Sequence, residues 1–83
     1  MKRFTLKRNK ANEDFKWYFN YEFKDGVTWI RLYFKFKNQQ SIEAIDLSRF
    51  RYVSIEEAKE FAENYLRIQG WLLRKFIWLG KEV

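Results

Sequence analysis

The chain contains no cysteine, no histidine and no proline, and only three glycines. Without thiols or imidazoles there can be no disulfide, no Cys or His nucleophile, no His-ligated haem and no zinc site built from the usual ligands. The 83 residues therefore have to hold together by packing alone. Gly26, Gly70 and Gly80 lie too far apart to form a phosphate-cradling loop. No apolar run is long enough to span a bilayer, and Met1–Lys10 is basic with no apolar core after it, so neither a membrane span nor a signal peptide is expected. A cysteine-free chain suits a reducing cytoplasm, or the cytoplasm of a host if the chain is viral.

Aromatic side chains are abundant: nine Phe, five Tyr and four Trp. A domain this small buries only roughly 60% of its unfolded surface, and large rings are the densest way to make that burial count. Charge is unevenly placed. Of the 17 basic residues, Lys2, Arg3, Lys7, Arg8 and Lys10 crowd the first ten positions, and the remainder nearly balance the 11 acids. The expectation is a basic N-terminal arm over 1–12 followed by a single α+β domain over 13–83.

From Phe15 to Phe23 every odd position is aromatic, and the even positions are Lys16, Tyr18, Asn20 and Glu22. That period of two predicts a strand with one buried face. Asp25-Gly26 follows, a dipeptide suited to a type I′ turn, and the alternation then resumes over Val27–Lys37. Pairing Lys24 with Val27 sets Tyr21 opposite Ile30, Phe19 opposite Leu32 and Trp17 opposite Phe34, all on one apolar face. In this register truncating Phe19 should be costly and truncating Tyr18 cheap.

A turn near Asn38-Gln39 introduces a third strand over 41–47, with Ile45 beside Leu32 and Leu47 beside Ile30. Glu43 then falls beside Phe34 on the apolar face, which requires either an edge position or a bulge. Ser54-Ile-Glu-Glu57 reads as a capping box that opens a helix. On its wheel Ile55, Ala58, Phe61, Ala62, Tyr65, Leu66 and Ile68 share one side. Gly70 resembles a helix C′ residue, after which Trp71–Leu79 forms either a fourth strand or a continuation of the helix. The predicted fold is thus α+β, an antiparallel three- to four-stranded sheet with one amphipathic helix packed on its aromatic face, in the order β-β-β-α and then a further β.

The second face of the hairpin interleaves aromatic and basic residues: Lys16 and Tyr18 from one strand, Trp29, Arg31, Tyr33 and Lys35 from the other, with Lys37 just beyond. Rings stack on bases while Lys and Arg meet phosphates, so this face predicts a nucleic-acid-binding module that prefers single strands. The arm residues Lys2, Arg3, Lys7 and Arg8 would assist it. An ordinary solvated sheet face, with Tyr18 beside Tyr33 and Arg31 beside Asp46, explains the same residues. Arg49, Phe50, Arg51 and Tyr52 make a second basic and aromatic cluster, expected to be a solvated loop with Phe50 or Tyr52 closing the core.

Glu22, Glu43 and Asp46 are the only acids expected to lie near one another in the sheet, and Glu43 should point away from Asp46. No metal site, cofactor, small-molecule substrate or catalysis is therefore expected. The rival reading is a small protein-binding inhibitor or adaptor, of the kind a phage or virus encodes to block nucleic-acid machinery in its host. Finally, Trp71, Leu73, Phe76 and Trp78 carry more apolar surface than one sheet and helix can cover, which predicts a symmetric homodimer through this segment.

Overall fold

The computed structural model describes residues 1–7, 15–69 and 77–82. Strands β1 (Lys2–Lys7), β2 (Phe15–Lys24), β3 (Val27–Phe36) and β4 (Ile42–Asp46) precede helix α1 (Ile55–Ile68), and β5 (Ile77–Glu82) follows it. They form one sheet in the order β4-β3-β2-β1-β5, and every neighbouring pair is antiparallel. The α+β class, the aromatic core and the order of strands before helix are as the sequence predicts.

The hairpin has the expected register along its whole length, from Phe15 opposite Phe36 to Lys24 opposite Val27. Asp25 and Gly26 both take positive φ, 56° and 76°, as a type I′ turn requires. On the aromatic face Phe19, Ile30 and Leu32 are fully enclosed together with Ala58, Ala62 and Leu66 of α1. Phe4 stacks on Phe19 with ring centroids 5.2 Å apart, and Trp17 meets Phe34 at the same separation. A helix of 14 residues is about 21 Å long, whereas strands of ten residues run about 33 Å. The helix cannot cover the whole hairpin, and Phe23 at its end stays half exposed.

Several expectations are corrected. Lys2–Lys7 is not an arm: it pairs with β2, placing Lys2 opposite Tyr21 and Phe4 opposite Phe19, because Phe4 and Leu6 alternate with polar residues and are buried in the same core cluster as Ala58, Ala62 and Leu66. The sheet therefore has five strands. The last strand is Ile77–Glu82, so the helix does not continue to Leu79; it ends at Ile68, with Gln69 as its C-cap. Gly70, as a helix C′ residue, lies outside the described residues.

Ile68 belongs to the apolar stripe by spacing but is 79% exposed, although Leu66 in the same turn is fully buried. Ser54 caps the helix by accepting from the Glu57 amide at 3.1 Å. The reciprocal half of the capping box is absent, since the Glu57 carboxylate pairs with Arg51 at 2.6 Å instead. Of the two ways to accommodate Glu43, the bulge is the one used. Leu32 pairs with Ile45 and Tyr33 with Glu43, and the shift between them turns Glu43 to the face it shares with Asp46.

Thr28 ties the loop after β4 to the sheet. Its backbone exchanges two hydrogen bonds with Arg49, at 2.9 and 3.0 Å. Its hydroxyl donates to the Arg51 carbonyl at 2.6 Å and accepts from the Val53 amide at 2.9 Å. Because Thr28 and Val53 are wholly buried, Thr28→Val keeps the shape but strands the buried Val53 N–H and the part-buried Arg51 carbonyl. Urea melts are expected to show a loss of about 1–3 kcal/mol; an unchanged midpoint would mean that the loop is not held by this hydroxyl.

Candidate functional site

The face of the sheet away from α1 is built by the odd positions of β1 and β3 and the even positions of β2. Pairing sets Arg3 opposite Asn20, Asn20 opposite Arg31 and Arg31 opposite Asp46, a row across four strands. The next row runs from Thr5 through Tyr18 and Tyr33 to Glu43. Beyond it Lys16 lies opposite Lys35, and toward the hairpin turn Glu22 lies opposite Trp29.

The rings on this face form a layered column. The Arg3 guanidinium sits 4.3 Å above the Tyr18 ring, while Tyr18 stacks on Tyr33 with centroids 5.2 Å apart and planes 18° from parallel. The Tyr18 hydroxyl donates to the Ser41 hydroxyl at 2.7 Å. Consequently Tyr18 is only 7% exposed. This overturns the expectation that Tyr18 is a free stacking ring and that its truncation is cheap: the strand taken for an arm brings Arg3 over it. Tyr33 remains partly exposed, and Trp29 is 39% exposed.

The cations differ in their engagement. Arg31 lies 5.3 Å from the Trp29 ring centre and pairs with Asp46 at 3.3 Å. Partial burial raises the Asp46 pKa, but hydrogen bonds from the Ser48 hydroxyl and amide, together with Arg31, outweigh it and hold the carboxyl below its ordinary value. Lys16 and Lys35 face each other, and neither forms an ion pair among the described residues. Lys37 is the residue after β3, takes a positive φ of 54°, and carries its ammonium 5.4 Å from the Phe36 ring. Since Phe36 belongs to the aromatic face, Lys37 does not join Lys35.

Of the residues expected in the arm, Arg3 joins this face and Lys2 does not, because one step along a strand reverses direction. Lys7 pairs through its backbone with Ile77 in β5, and Arg8 lies outside the described residues. So do Trp71, Leu73 and Phe76 of the expected dimer contact. Trp78 is in β5, opposite Leu6.

An open depression of about 490 Å³ occupies the turn end of this face. Asn20, Glu22, Lys24, Trp29, Arg31 and Tyr33 line it, and Met1 and Asp25 complete the lining. Sequence reasoning placed most of these residues on one face but missed the depression, whose shape depends on the side chains and on the first residue lying beside β2. Although Glu43 and Asp46 share the face, no group of three or more acidic residues that could hold a metal ion occurs among the described residues.

The loop cluster also departs from expectation. Phe50 is 92% and Tyr52 62% exposed, so neither closes the core; Tyr52 meets Phe23 edge-on at 5.3 Å and lies beside the Tyr21 hydroxyl. The arginines are the engaged members, Arg49 over the Phe61 ring at 4.5 Å and Arg51 on Glu57. No helix among the described residues is long and apolar enough to cross a membrane. Compared with protein-family models, with curated proteins and with solved structures, the chain matches none.

Proposed function

We propose that the protein binds single-stranded nucleic acid, without catalysing a reaction, on the open face of its sheet, and that it acts in the cytoplasm. One observation carries this reading. Lys16 and Lys35 stand directly opposite each other with no ion-pair partner among the described residues, beside the partly exposed Tyr33 ring. Like charges in a direct cross-strand pair destabilise a sheet, and a phosphate between them relieves that repulsion. A base stacked on the adjoining ring would be the second contact of the same nucleotide.

The test is an anisotropy titration of matched single-stranded and duplex oligonucleotides over a range of salt. Affinity for the single strand should fall with a logarithmic slope of roughly 0.7 per phosphate met. Lys16→Ala and Lys35→Ala should each lower that slope by about one contact. Binding of both oligonucleotides no tighter than the non-specific range of about 10⁻⁴ to 10⁻⁶ M at physiological salt would overturn the proposal.

The second reading, a protein-docking inhibitor or adaptor, is favoured by Phe50. An almost wholly exposed phenylalanine on a loop fastened by Thr28 is a preformed apolar anchor, the kind of residue that centres protein interfaces. Failure of the oligonucleotide titration would leave this reading as the better one.

A further inference from the structure

The depression at the turn end of the open face differs in chemistry from the lysine end. Its volume of about 490 Å³ falls within the roughly 300–1,000 Å³ of small-ligand sites. Trp29 supplies a flat apolar wall with 39% of its surface exposed. Directly across the strand pair stands Glu22, an exposed carboxylate with no ion pair among the described residues. Two positions along the same strand is Asn20, whose Oδ1 accepts from Arg3 Nε at 3.2 Å. That bond fixes the amide and leaves the Nδ2 amino group as a donor.

A carboxylate in a nucleic-acid face repels phosphate, so a strand can pass over it only if something else is gained there. A flat wall, a two-oxygen acceptor and an adjacent amide donor together specify the edge of a base. Guanine alone offers two neighbouring donors, N1–H and the N2 amino group, followed by an acceptor, O6. Adenine has a single donor group on that edge, and cytosine likewise. Thymine and uracil flank their one N–H with two carbonyls that a carboxylate would repel. Bases of unpaired strands are commonly read on this edge while stacked on an aromatic ring.

Resting on the reading that the open face binds a single strand, we propose that this depression takes one guanine of that strand, stacked on Trp29, with N1–H and the N2 amino group donating to Glu22. The Asn20 amide donates to O6. Lys24, which also lines the depression and has no ion pair among the described residues, stands ready for a flanking phosphate. The lysine end then contributes affinity irrespective of sequence, and the turn end contributes choice of base.

Four thymine oligonucleotides carrying one central guanine, hypoxanthine, adenine or cytosine would be titrated against the protein and its Glu22→Gln variant. The guanine strand should bind about tenfold or more tightly than the adenine and cytosine strands, as a good bidentate contact allows. Hypoxanthine lacks the N2 amino group and should lose most of that advantage. Glu22→Gln should abolish the preference. Because it also removes a negative charge from the face, a fifth strand made of thymine alone should bind it no less tightly than it binds the unaltered protein.

If all four strands bind alike with the expected salt slope, the guanine site is wrong and the single-strand reading stands. Guanosine monophosphate, titrated alone by calorimetry, separates the opposite case. Binding of this nucleotide that is lost in Glu22→Gln, with no strand bound, would retain the pocket and overturn the strand reading. Failure of both probes would overturn both.

Discussion

Phe19→Ala is expected to lower the unfolding free energy by about 3–5 kcal/mol, the range of large aromatic truncations in closed cores. Phe19 has no exposed surface and lies in the middle strand of the register Phe4, Phe19, Leu32. Ala58 and Ala62 of α1, in the same core cluster, are also fully enclosed. Small helix residues let the helix approach closely, so removing the ring leaves a void bounded by backbone on both sides. Backbone that is hydrogen-bonded within a five-stranded sheet has little freedom to collapse into such a void. Phe23→Ala, four residues along the same face but half exposed beyond the helix, should cost less than about 1.5 kcal/mol. Guanidinium melts of the two variants give the comparison. Equal losses would show that the helix does not sit over Phe19.

The ease of reading the hairpin from sequence and the difficulty of reading its neighbours have the same origin. In β2 and β3 the aromatic alternation, the Asp25-Gly26 turn and the matched faces all constrain one register, and each constraint is local. β1 has only Phe4 and Leu6 as apolar signal, set among charges that suggest a solvated tail. What makes it a strand is pairing with residues 18–21, which lie more than ten positions away. The same long-range pairing explains the misplaced Tyr18. Period two correctly put Tyr18 on the face opposite Phe19, but being opposite a core is not being exposed. Burial on that face comes from Arg3, brought by β1, and from Ser41, brought by the start of β4. The bulge could be anticipated as one of two options because Glu43 conflicted with the apolar face. The bounds of the last strand could not, because its apolar residues fit a helix stripe and a strand equally well.

Separating Tyr18 from Tyr33 tests the proposed face most sharply, because the two rings touch and yet should fail in different ways. Tyr33 is the outer ring of the pair, so Tyr33→Ala should weaken single-strand binding by roughly 1–3 kcal/mol, the worth of one base stack. The salt slope should not change, since stacking releases no counterions. Lys35→Ala should show the reverse pattern, a lower slope with a modest loss at high salt. Tyr18 lies beneath, enclosed by Arg3, Tyr33 and Ser41. Tyr18→Ala should therefore cost stability, about 2–4 kcal/mol as buried truncations do, and its loss of binding should follow from the Tyr33 ring losing its support. Tyr18→Phe distinguishes support from contact. It keeps the ring and removes only the bond to Ser41, costing about 0.5–1.5 kcal/mol of stability, and it should bind the strand as the unaltered protein does. If Tyr18→Phe weakens binding as much as Tyr33→Ala, the Tyr18 hydroxyl touches the ligand and the layered column is misassigned. If binding survives loss of both Tyr33 and Trp29, bases do not stack on this face, and the clamped Phe50 loop becomes the surface to examine for a protein partner.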